Sequence, residues 1–355
     1  MTASYQRALA VMLVVTAAVA ALAGFLWWLS PTHDAAAVVA AFWRGSFGTP
    51  SAFLSGTLVR AIPLAIVGTG LSIAFRAGVF NIGGEGQLLL GAVAATVVGL
   101  EWSPSLGAAG VVVALVAGAA GGAAWAGIAA VLRMRFGVLE VISTIMLNFV
   151  AANLVAYLVR GPLQEPSGVY PQTDLISVST RLARFSPDSR LHLGAVLAIG
   201  VCVVAWWFLA RTAAGFRVRA VGASSTAAAV TGGVDVSRVA AGTLILSGAL
   251  AGLAGGVEVA GVTYALYENL SPGYGFSAIA VAILARLHPL AVLATAVLFA
   301  ALETGALGMQ RDAGVPSVVA AALEAIVILL AVSLDRRTLP SFRSGAIGMA
   351  RADAA

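Results

Sequence analysis

Long apolar stretches follow one another along almost the whole chain, with short polar connections between them. Most of them approach the roughly 20 residues that an α-helix needs to cross the hydrocarbon core of a bilayer. Only 10% of the 355 residues are charged, and the mean hydropathy is +0.99. Since a soluble domain carries about 25% charged residues, this composition argues against a water-soluble globule. The expected fold class is an all-α, polytopic helical bundle in a membrane.

The apolar segments predict about ten transmembrane segments in a single transmembrane domain over residues 1–355. The first, 8–29, is longer than the roughly 7–15-residue core of a signal peptide, so it is predicted to be an uncleaved span. The others lie near 51–75, 86–100, 106–132, 137–159, 191–210, 239–261, 276–287, 289–308 and 316–333. Segments 86–100 and 276–287 are short, so one of them is expected to be re-entrant or broken. The stretch 35–47 is too short to span and predicts an interfacial or partly buried helix.

The arginines set the expected orientation, because positively charged residues concentrate at the cytoplasmic ends of spans. Ten segments with both termini in the cytoplasm place the connection 211–238 and the tail 334–355 on that side. The loop 161–190 is predicted to be extracytoplasmic, although it contains Arg181, Arg184 and Arg190, because it has no long apolar run. The net charge is +5, but the arginines are scattered at span ends, which argues against a nucleic-acid partner.

Signatures of catalysis and of cofactor binding are missing from the sequence. There is no Walker A loop, and Gly84-Glu85-Gly86 lacks the strand–turn–helix context of a dinucleotide site. The three histidines are far apart, and neither HExxH nor GxSxG occurs. The single cysteine, Cys202, permits no internal disulfide and has no zinc-ligand spacing around it. We therefore expect no catalytic residue, no metal and no cofactor bound by this chain.

The segment FNIGGEGQ, residues 80–87, is a polar interruption between two apolar runs. Ionisable and amide side chains are costly inside a bilayer, so Asn81, Glu85 and Gln87 are candidates for function. Two interpretations are open. These side chains contact a transported substrate, or they form a turn-and-cap element at the cytoplasmic turn that follows Arg76, with glycines allowing the chain to reverse.

Four polar side chains share one face of segment 137–159. Glu140, Ser143, Thr144 and Asn148 stand at offsets of 0, 3, 4 and 8 residues, which places them on one side of a helix. A polar stripe on an apolar helix must face protein or water. It predicts either the lining of a pathway or a seam of interhelical hydrogen bonds, and the sequence leaves both open.

Segment 239–261 combines small residues with an acidic one. Gly248, Gly252 and Gly256 recur every four residues, a spacing that Gly118 and Gly122 repeat. This spacing predicts close packing between helices, within the chain in preference to between subunits. Glu258 lies near the end of the segment, with Tyr264, Tyr267 and Glu268 after it. These residues predict a membrane–water interface, with an outer vestibule as the alternative.

The connection 211–238 is basic and rich in alanine, and it contains a short predicted helix at about 223–231. Ser224, Ser225 or Thr226 is expected to cap that helix. A short helix held between two spans suits docking to another protein, and an ordinary surface loop is the alternative. Further along, Pro289 predicts a break between segments 276–287 and 289–308, because proline cannot donate a backbone hydrogen bond.

Together these motifs resemble a family of bacterial ATP-binding cassette importer permeases. Phe80-Asn81-Ile82-Gly83-Gly84-Glu85-Gly86-Gln87, preceded by Phe75-Arg76-Ala77-Gly78, is similar to the signature of permeases for branched-chain amino acids, ribose-type sugars and nucleosides. The run EVISTIMLN, from Glu140 to Asn148, resembles the nucleoside subgroup, which depends on a basic membrane lipoprotein. The matches cover about residues 50–300.

The connection 211–238 is similar to the segment through which this family couples to its ATPase. The similarity lies in Arg219-Ala220-Val221-Gly222 and in Ala227-Ala228, whereas the usual Asn-Pro is Ser224-Ser225 here. Arg286 to Pro289 resembles a Gly-Arg-x-x-Pro stretch in which Ala285 replaces the glycine. The ATPase-coupling candidates that this implies are Arg217, Arg219, Gly222, Ser224, Ser225, Ala227 and Ala228.

The resemblance implies a permease subunit that forms the path for nucleosides across the bacterial inner (plasma) membrane. Its partners would be ATPase subunits carrying ATP and Mg²⁺, a second permease chain that is usually a different polypeptide, an extracytoplasmic substrate-binding lipoprotein and the lipid bilayer. The substrate-path candidates are Asn81, Glu85, Gln87, Glu140, Ser143, Thr144, Asn148 and Glu258. Alternatives are a ribose-type sugar or branched-chain amino acid permease and, from another class, a secondary transporter, although no inverted repeat is evident. An intramembrane enzyme is the weakest interpretation.

Overall fold

The computed structural model describes residues 34–102 and 107–316, together with the isolated residues 322 and 326. Across this part of the chain the regular structure is helical, and β-pairing is limited to two isolated bridges. By length and composition, six of the described helices could each cross a membrane. The expected all-α membrane bundle is confirmed at this level.

The helices are numbered here along the chain. They are α1 (Ala35–Ser46), α2 (Leu58–Arg76), α3 (Gly84–Val97), α4 (Gly110–Phe136), α5 (Glu140–Arg160), α6 (Gly194–Arg211), α7 (Ala213–Ala223), α8 (Ser225–Val230), α9 (Val236–Glu258), α10 (Tyr274–Leu284) and α11 (Pro289–Ala313). Wider π-helical turns precede α2 at Ala52–Thr57 and extend α3 and α9 at Val98–Trp102 and Val259–Thr263. Such turns often lie at functional sites.

The eight apolar segments from 51–75 to 289–308 each contain one of these helices. The predicted short segments are indeed short, because α3 has 14 residues and α10 has 11. The stretch 35–47 forms α1, in which Asp34 caps the N-terminus. Segment 8–29, the tail 334–355 and almost all of 316–333 lie outside the described residues.

The described chain divides into two compact units. Residues 34–53 and 301–316 belong to one of them, in which Val38 and Ala41 of α1 form an apolar cluster with Ala306 and Met309 of α11. The larger unit is Leu54–Ala300 and contains all the candidate site residues.

The core of the larger unit depends on glycine. A Cβ on Gly252 of α9 would lie 2.7 Å from the Cα of Gly122 on α4 and would collide with the Gly118 carbonyl. A Cβ on Gly91 of α3 would collide with the backbone of Gly252 itself. Backbone-to-backbone contact of this kind is what small residues permit in membrane bundles. The predicted packing within the chain is confirmed.

The two ends of the larger unit differ in character. At one end, the α7–α8 end, Gly222 lies against the backbone carbonyl of Arg76 at the C-terminus of α2. At the other, the loop end, residues 161–193 cover the turn after α9, where the Leu182 N–H donates to the Ala260 carbonyl at 2.8 Å. The Arg181 guanidinium lies 4.7 Å from the centroid of the Tyr264 ring, and Arg184 donates to the Tyr264 hydroxyl at 3.0 Å. Two of the three arginines in this loop are therefore held by local partners.

His192 is a buried structural residue at the loop end. Its ring is packed against Gly194 and Gly261, and its Nδ1 accepts a hydrogen bond from the Gly194 N–H at 3.1 Å. Burial, assisted by Arg184 and Arg190, lowers the pKa of His192 to about 4, so the ring is neutral at pH 7. Among the residues that the structure describes, no three His, Cys, Asp or Glu side chains are grouped so that they could hold a metal ion.

Candidate functional site

The polar segment 80–87 lies inside the bundle. After Arg76 the chain turns through Gly78, whose φ is 75°, and α3 then begins at Gly84. A Cβ on Gly84 would lie 3.3 Å from a methyl group of Val67, in the middle of α2. Val67 precedes the end of α2 by nine residues, or roughly 13 Å of helix. The chain thus turns after Arg76 as predicted, and segment 80–87 then re-enters the bundle, where its polar groups find partners.

Glu85 lies where the N-termini of α3 and α10 meet. Its carboxyl group accepts a hydrogen bond from the Gly275 N–H at 2.7 Å. Gly84 and Gly275 let the two backbones approach closely. Each helix N-terminus carries about half a positive elementary charge, which favours an acidic side chain there. Glu85 therefore joins two short helices from parts of the chain that are 190 residues apart.

Asn81 and Gln87 form a reciprocal amide pair beneath α9. The Asn81 Nδ2 donates to Gln87 Oε1 at 2.8 Å and to the Ser247 hydroxyl at 3.0 Å. The Asn81 Oδ1 accepts from Gln87 Nε2 at 3.0 Å and from the Gly83 N–H at 2.9 Å. Both amides are almost fully buried. Since buried polar groups are costly without partners, this network holds the re-entrant segment in one conformation.

The polar stripe of α5 faces the same segment. The Asn148 Oδ1 accepts from the Gly86 N–H and its Nδ2 donates to the Ile82 carbonyl, both at 2.8 Å. The Thr144 hydroxyl accepts from the Ile82 N–H at 3.2 Å. Glu140 pairs with Arg133 at 2.8 Å, and Ser143 bonds back to the Glu140 carbonyl. In this conformation the stripe is a hydrogen-bonded seam, and its part in a substrate path stays a prediction.

A cavity of about 270 Å³ opens near the loop end of the larger unit. Its walls come from the start of α2, the end of α9 and the connection into α10. The ionisable and amide side chains that line it are Arg60, Arg190, Glu258, Tyr267, Asn269 and Tyr274. Glu258 is only 5% exposed, and its side chain lines this cavity. Its place at a membrane–water interface or in an outer vestibule stays a prediction.

The neighbours of Glu258 in sequence divide between two places. Burial and the nearby Glu258 carboxylate raise the pKa of Tyr267, whereas Arg60 and Arg190 act in the opposite direction. Four charged or ionisable groups are therefore within electrostatic reach of one another in the cavity. Glu268 instead pairs with Arg160 at 2.6 Å, outside the cavity lining.

The connection 211–238 contains two helices where the sequence predicted one. Of the three predicted caps, Ser224 is the one that caps α8, because its hydroxyl accepts from the Ala227 N–H at 3.2 Å. The helix that was not predicted, α7, is capped by Thr212, which accepts from the Gly215 N–H at 3.0 Å. Of the coupling candidates, Arg217, Gly222, Ser224, Ser225 and Ala227 are exposed, Arg219 is half-buried and Ala228 is buried.

Arg76 links this connection to the break between α10 and α11. Its backbone carbonyl lies against Gly222, and its Nε donates to the Leu287 carbonyl at 2.7 Å. Arg286 and Leu287 both have left-handed backbones, with φ of 51° and 57°. Such angles are unfavourable for side chains other than glycine. Arg76 therefore supports a strained turn at the α7–α8 end.

Some of the cavity residues could be identified as functional candidates from the sequence, and others could not. Arg60 is an ionisable residue inside an apolar segment, which by itself indicates function. Arg190 and Asn269 were missed, because they lie in polar connections where charged and amide side chains are ordinary. Arg190 reaches Glu258 only because the loop 161–193 folds over the end of α9, and Asn269 lies on the connection that follows that helix.

Replacing Glu85 separates its structural and transport roles. We expect Glu85→Gln to assemble normally, because the amide oxygen can still accept from the Gly275 N–H. Glu85→Leu should lower the free energy of unfolding by about 1–3 kcal/mol, since it leaves that buried N–H without an acceptor. Denaturation of the solubilised protein would measure both, with Glu101→Leu at an exposed site as the control. Equal stability of Glu85→Leu and the control would contradict this role.

Comparison with known proteins places these features in a family. A family model described as the permease component of branched-chain amino acid transport systems matches residues 53–332. The chain belongs to this permease family. The match covers the re-entrant segment, the α5 stripe, the cavity and the α7–α8 connection of the permease.

Several curated proteins are similar to the permease over most of its length. The guanosine ABC transporter permease protein NupP of Bacillus subtilis is 36% identical over 88% of this chain and 89% of its own. The glucose ABC transporter permease protein TsgB13 of Haloferax volcanii is also 36% identical, over 79% of this chain and 76% of its own. The nucleoside permease NupB of Lactococcus lactis is 30% identical over 78% of each chain. No solved structure gave a significant match.

Proposed function

We propose that this chain is the permease subunit of an ATP-binding cassette importer that carries nucleosides into the cell. The observation that carries the proposal is the 36% identity to a guanosine permease over 88% of the chain. Two further nucleoside or guanosine permeases, from Lactococcus lactis and Bacillus subtilis, are each 30% identical. A sugar permease is the second candidate, since a glucose permease is as similar as the guanosine one.

In this proposal the chain is one transmembrane domain of the bacterial inner membrane, with about ten spans and both termini in the cytoplasm. The α7–α8 end is cytoplasmic, and the loop 161–190 is extracytoplasmic. A substrate-binding lipoprotein delivers the substrate on the extracytoplasmic side. The path runs past the cavity at Glu258 and the polar network at Glu85 and Asn148. A second permease chain completes it. This chain binds no cofactor, and ATP with Mg²⁺ is held by the partner ATPases.

The α7–α8 connection is the proposed ATPase docking site. Phe216 and Val230 are 61% and 82% exposed there, a degree of apolar exposure that suits contact with another subunit. ATP-driven closure of the ATPases moves α7 and α8. The movement reaches the bundle where Gly222 lies against Arg76, and from Arg76 it passes to the turn at Leu287. Since α10 begins at the cavity residue Tyr274, the same movement changes access to the cavity.

Uptake of labelled guanosine tests the proposal. The chain would be expressed with its ATPase, second permease and lipoprotein in a strain without other nucleoside uptake. We expect guanosine accumulation that disappears on ATP depletion and on deletion of this chain, and that persists when the proton gradient is collapsed. Uptake that survives ATP depletion but follows the proton gradient would instead favour a secondary transporter. Uptake of glucose without guanosine would favour the sugar permease.

A further inference from the structure

The cavity at the loop end carries charges of both signs around a small volume. Glu258 supplies a buried carboxyl group, and Arg60 and Arg190 supply guanidinium groups to the same lining. Tyr267 and Asn269 add a phenol and an amide. Val59, Val262 and Leu270 complete the lining with apolar surface. The cavity therefore offers hydrogen-bond donors, acceptors and an apolar wall to one ligand.

This combination suits a neutral ligand that both donates and accepts hydrogen bonds. A cation would meet two guanidinium groups, and an anion would meet the Glu258 carboxyl group beside them, whereas a neutral ligand meets no like charge. A carboxylate only accepts hydrogen bonds, and a guanidinium only donates them. Adjacent hydroxyl groups match both, since each hydroxyl donates one bond and accepts others.

The cavity also lies next to interrupted helices, whose positions a bound ligand can affect. The π-helical turns at Ala52–Thr57 and Val259–Thr263 border it, and the first residue of α10, Tyr274, is part of its lining. The next residue, Gly275, donates to Glu85. Transporters commonly form their binding sites at such interrupted helices. A ligand in the cavity is thus in contact with the element that joins α3 to α10.

We propose that this cavity binds the vicinal hydroxyl groups of a sugar, with Glu258 and Tyr267 hydrogen-bonded to the hydroxyl pair and with Arg60 and Asn269 around the rest of the ring. The inference rests on the proposed function. It means that the permease itself recognises the substrate, in addition to the binding lipoprotein. Guanosine and glucose, the solutes in the names of two relatives at 36% identity, share this chemistry. The apolar wall then accommodates a base or the face of a sugar.

The test compares guanosine with 2′-deoxyguanosine, which lacks one of the paired hydroxyls. The complete transporter would be reconstituted in liposomes, and initial uptake of each solute would be measured at low concentration. We expect Glu258→Gln to reduce guanosine uptake about tenfold and 2′-deoxyguanosine uptake by less, because one of the paired hydroxyls is already missing from 2′-deoxyguanosine. Glu268→Gln, at an acidic residue outside the cavity lining, should keep the wild-type ratio. Tyr267→Phe, which removes a single hydroxyl, should lower the ratio about threefold.

The outcomes separate this inference from the proposed function. Guanosine uptake with a ratio unchanged in Glu258→Gln and Tyr267→Phe would overturn the diol site and leave the importer proposal intact. If Glu258→Gln does not assemble, Tyr267→Phe alone decides. If the wild type carries glucose and not guanosine, the nucleoside function fails, and glucose against 2-deoxyglucose then tests the site in the same variants. Inhibition of uptake by leucine that disappears in Glu258→Gln would also overturn it, since the site would then bind an amino acid.

Discussion

Gly252→Ala is expected to prevent the permease from accumulating as a folded protein, or to lower its free energy of unfolding by at least about 3 kcal/mol. The added methyl group would meet backbone atoms of Gly118 and Gly122, which no side-chain rotation can move. Relief requires α9 to separate from α4, and Gly91 on α3 packs against the same point. Overpacking usually costs about 1–3 kcal/mol, and a backbone collision among three helices lies at or above the upper end.

Two matched substitutions isolate this effect from helix propensity. Gly242 is on the same helix as Gly252, and Gly127 is on α4, yet a Cβ at either position would meet nothing within 4 Å. Alanine at these positions should stabilise the helix by roughly 0.5–1 kcal/mol, because glycine loses more backbone entropy. The yield of monodisperse protein and its unfolding in a denaturing detergent would measure all three. Equal stability of the three variants would contradict the close-packed core.

Arg76→Ala is expected to reduce guanosine uptake more than tenfold while the ATPase activity of the assembled transporter continues. The guanidinium group donates to the Leu287 carbonyl, and a hydrogen bond from a charged donor typically contributes about 1.5–3 kcal/mol. It offsets left-handed backbones at Arg286 and Leu287, which cost roughly 1–2 kcal/mol each. Without it the turn relaxes, and movement at α7 no longer reaches α10. Hydrolysis then proceeds without transport.

A second substitution can restore the turn without the arginine. Glycine adopts left-handed angles without a steric penalty, so Leu287→Gly in the Arg76→Ala background should recover a substantial part of the uptake. Arg135→Ala, at an exposed arginine on the end of α4, should leave both activities unchanged. If the double variant assembles but transports no better than Arg76→Ala, the strained turn is not the element through which Arg76 acts.

Much of the helix pattern was predictable because it depends on local composition. In a bilayer every backbone polar group must be satisfied internally, so a long apolar run has to be helical. The short segments 86–100 and 276–287, the break before Pro289 and a cap at Ser224, Ser225 or Thr226 were all correctly predicted on this basis. The polar stripe of α5 was also predicted to share one face, since helical periodicity follows directly from residue spacing.

Prediction from local sequence failed for segments whose contact partners are distant in sequence. The α7 helix was missed because its alanine-rich, basic sequence resembles a surface loop. The segment 80–87 was placed at the end of α2, because its glycines and polar side chains suggest a turn. Its depth is decided by Asn148 and Gly275, which supply the hydrogen-bond partners from 62 and 190 residues away.

The sequence by itself determined that this chain is a membrane helical bundle of the permease kind and which of its helices are short. It also identified the polar residues that are so costly in a bilayer that they must have a bonding partner or a function. The tertiary structure alone decided what those residues face. In the structure, Glu85 links two helix N-termini, and the α5 stripe forms a seam of hydrogen bonds. Glu258 lines a cavity together with Arg60 and Arg190. The physical reason is that residue spacing specifies a face of one helix, whereas a site arises from contacts between helices that spacing does not encode.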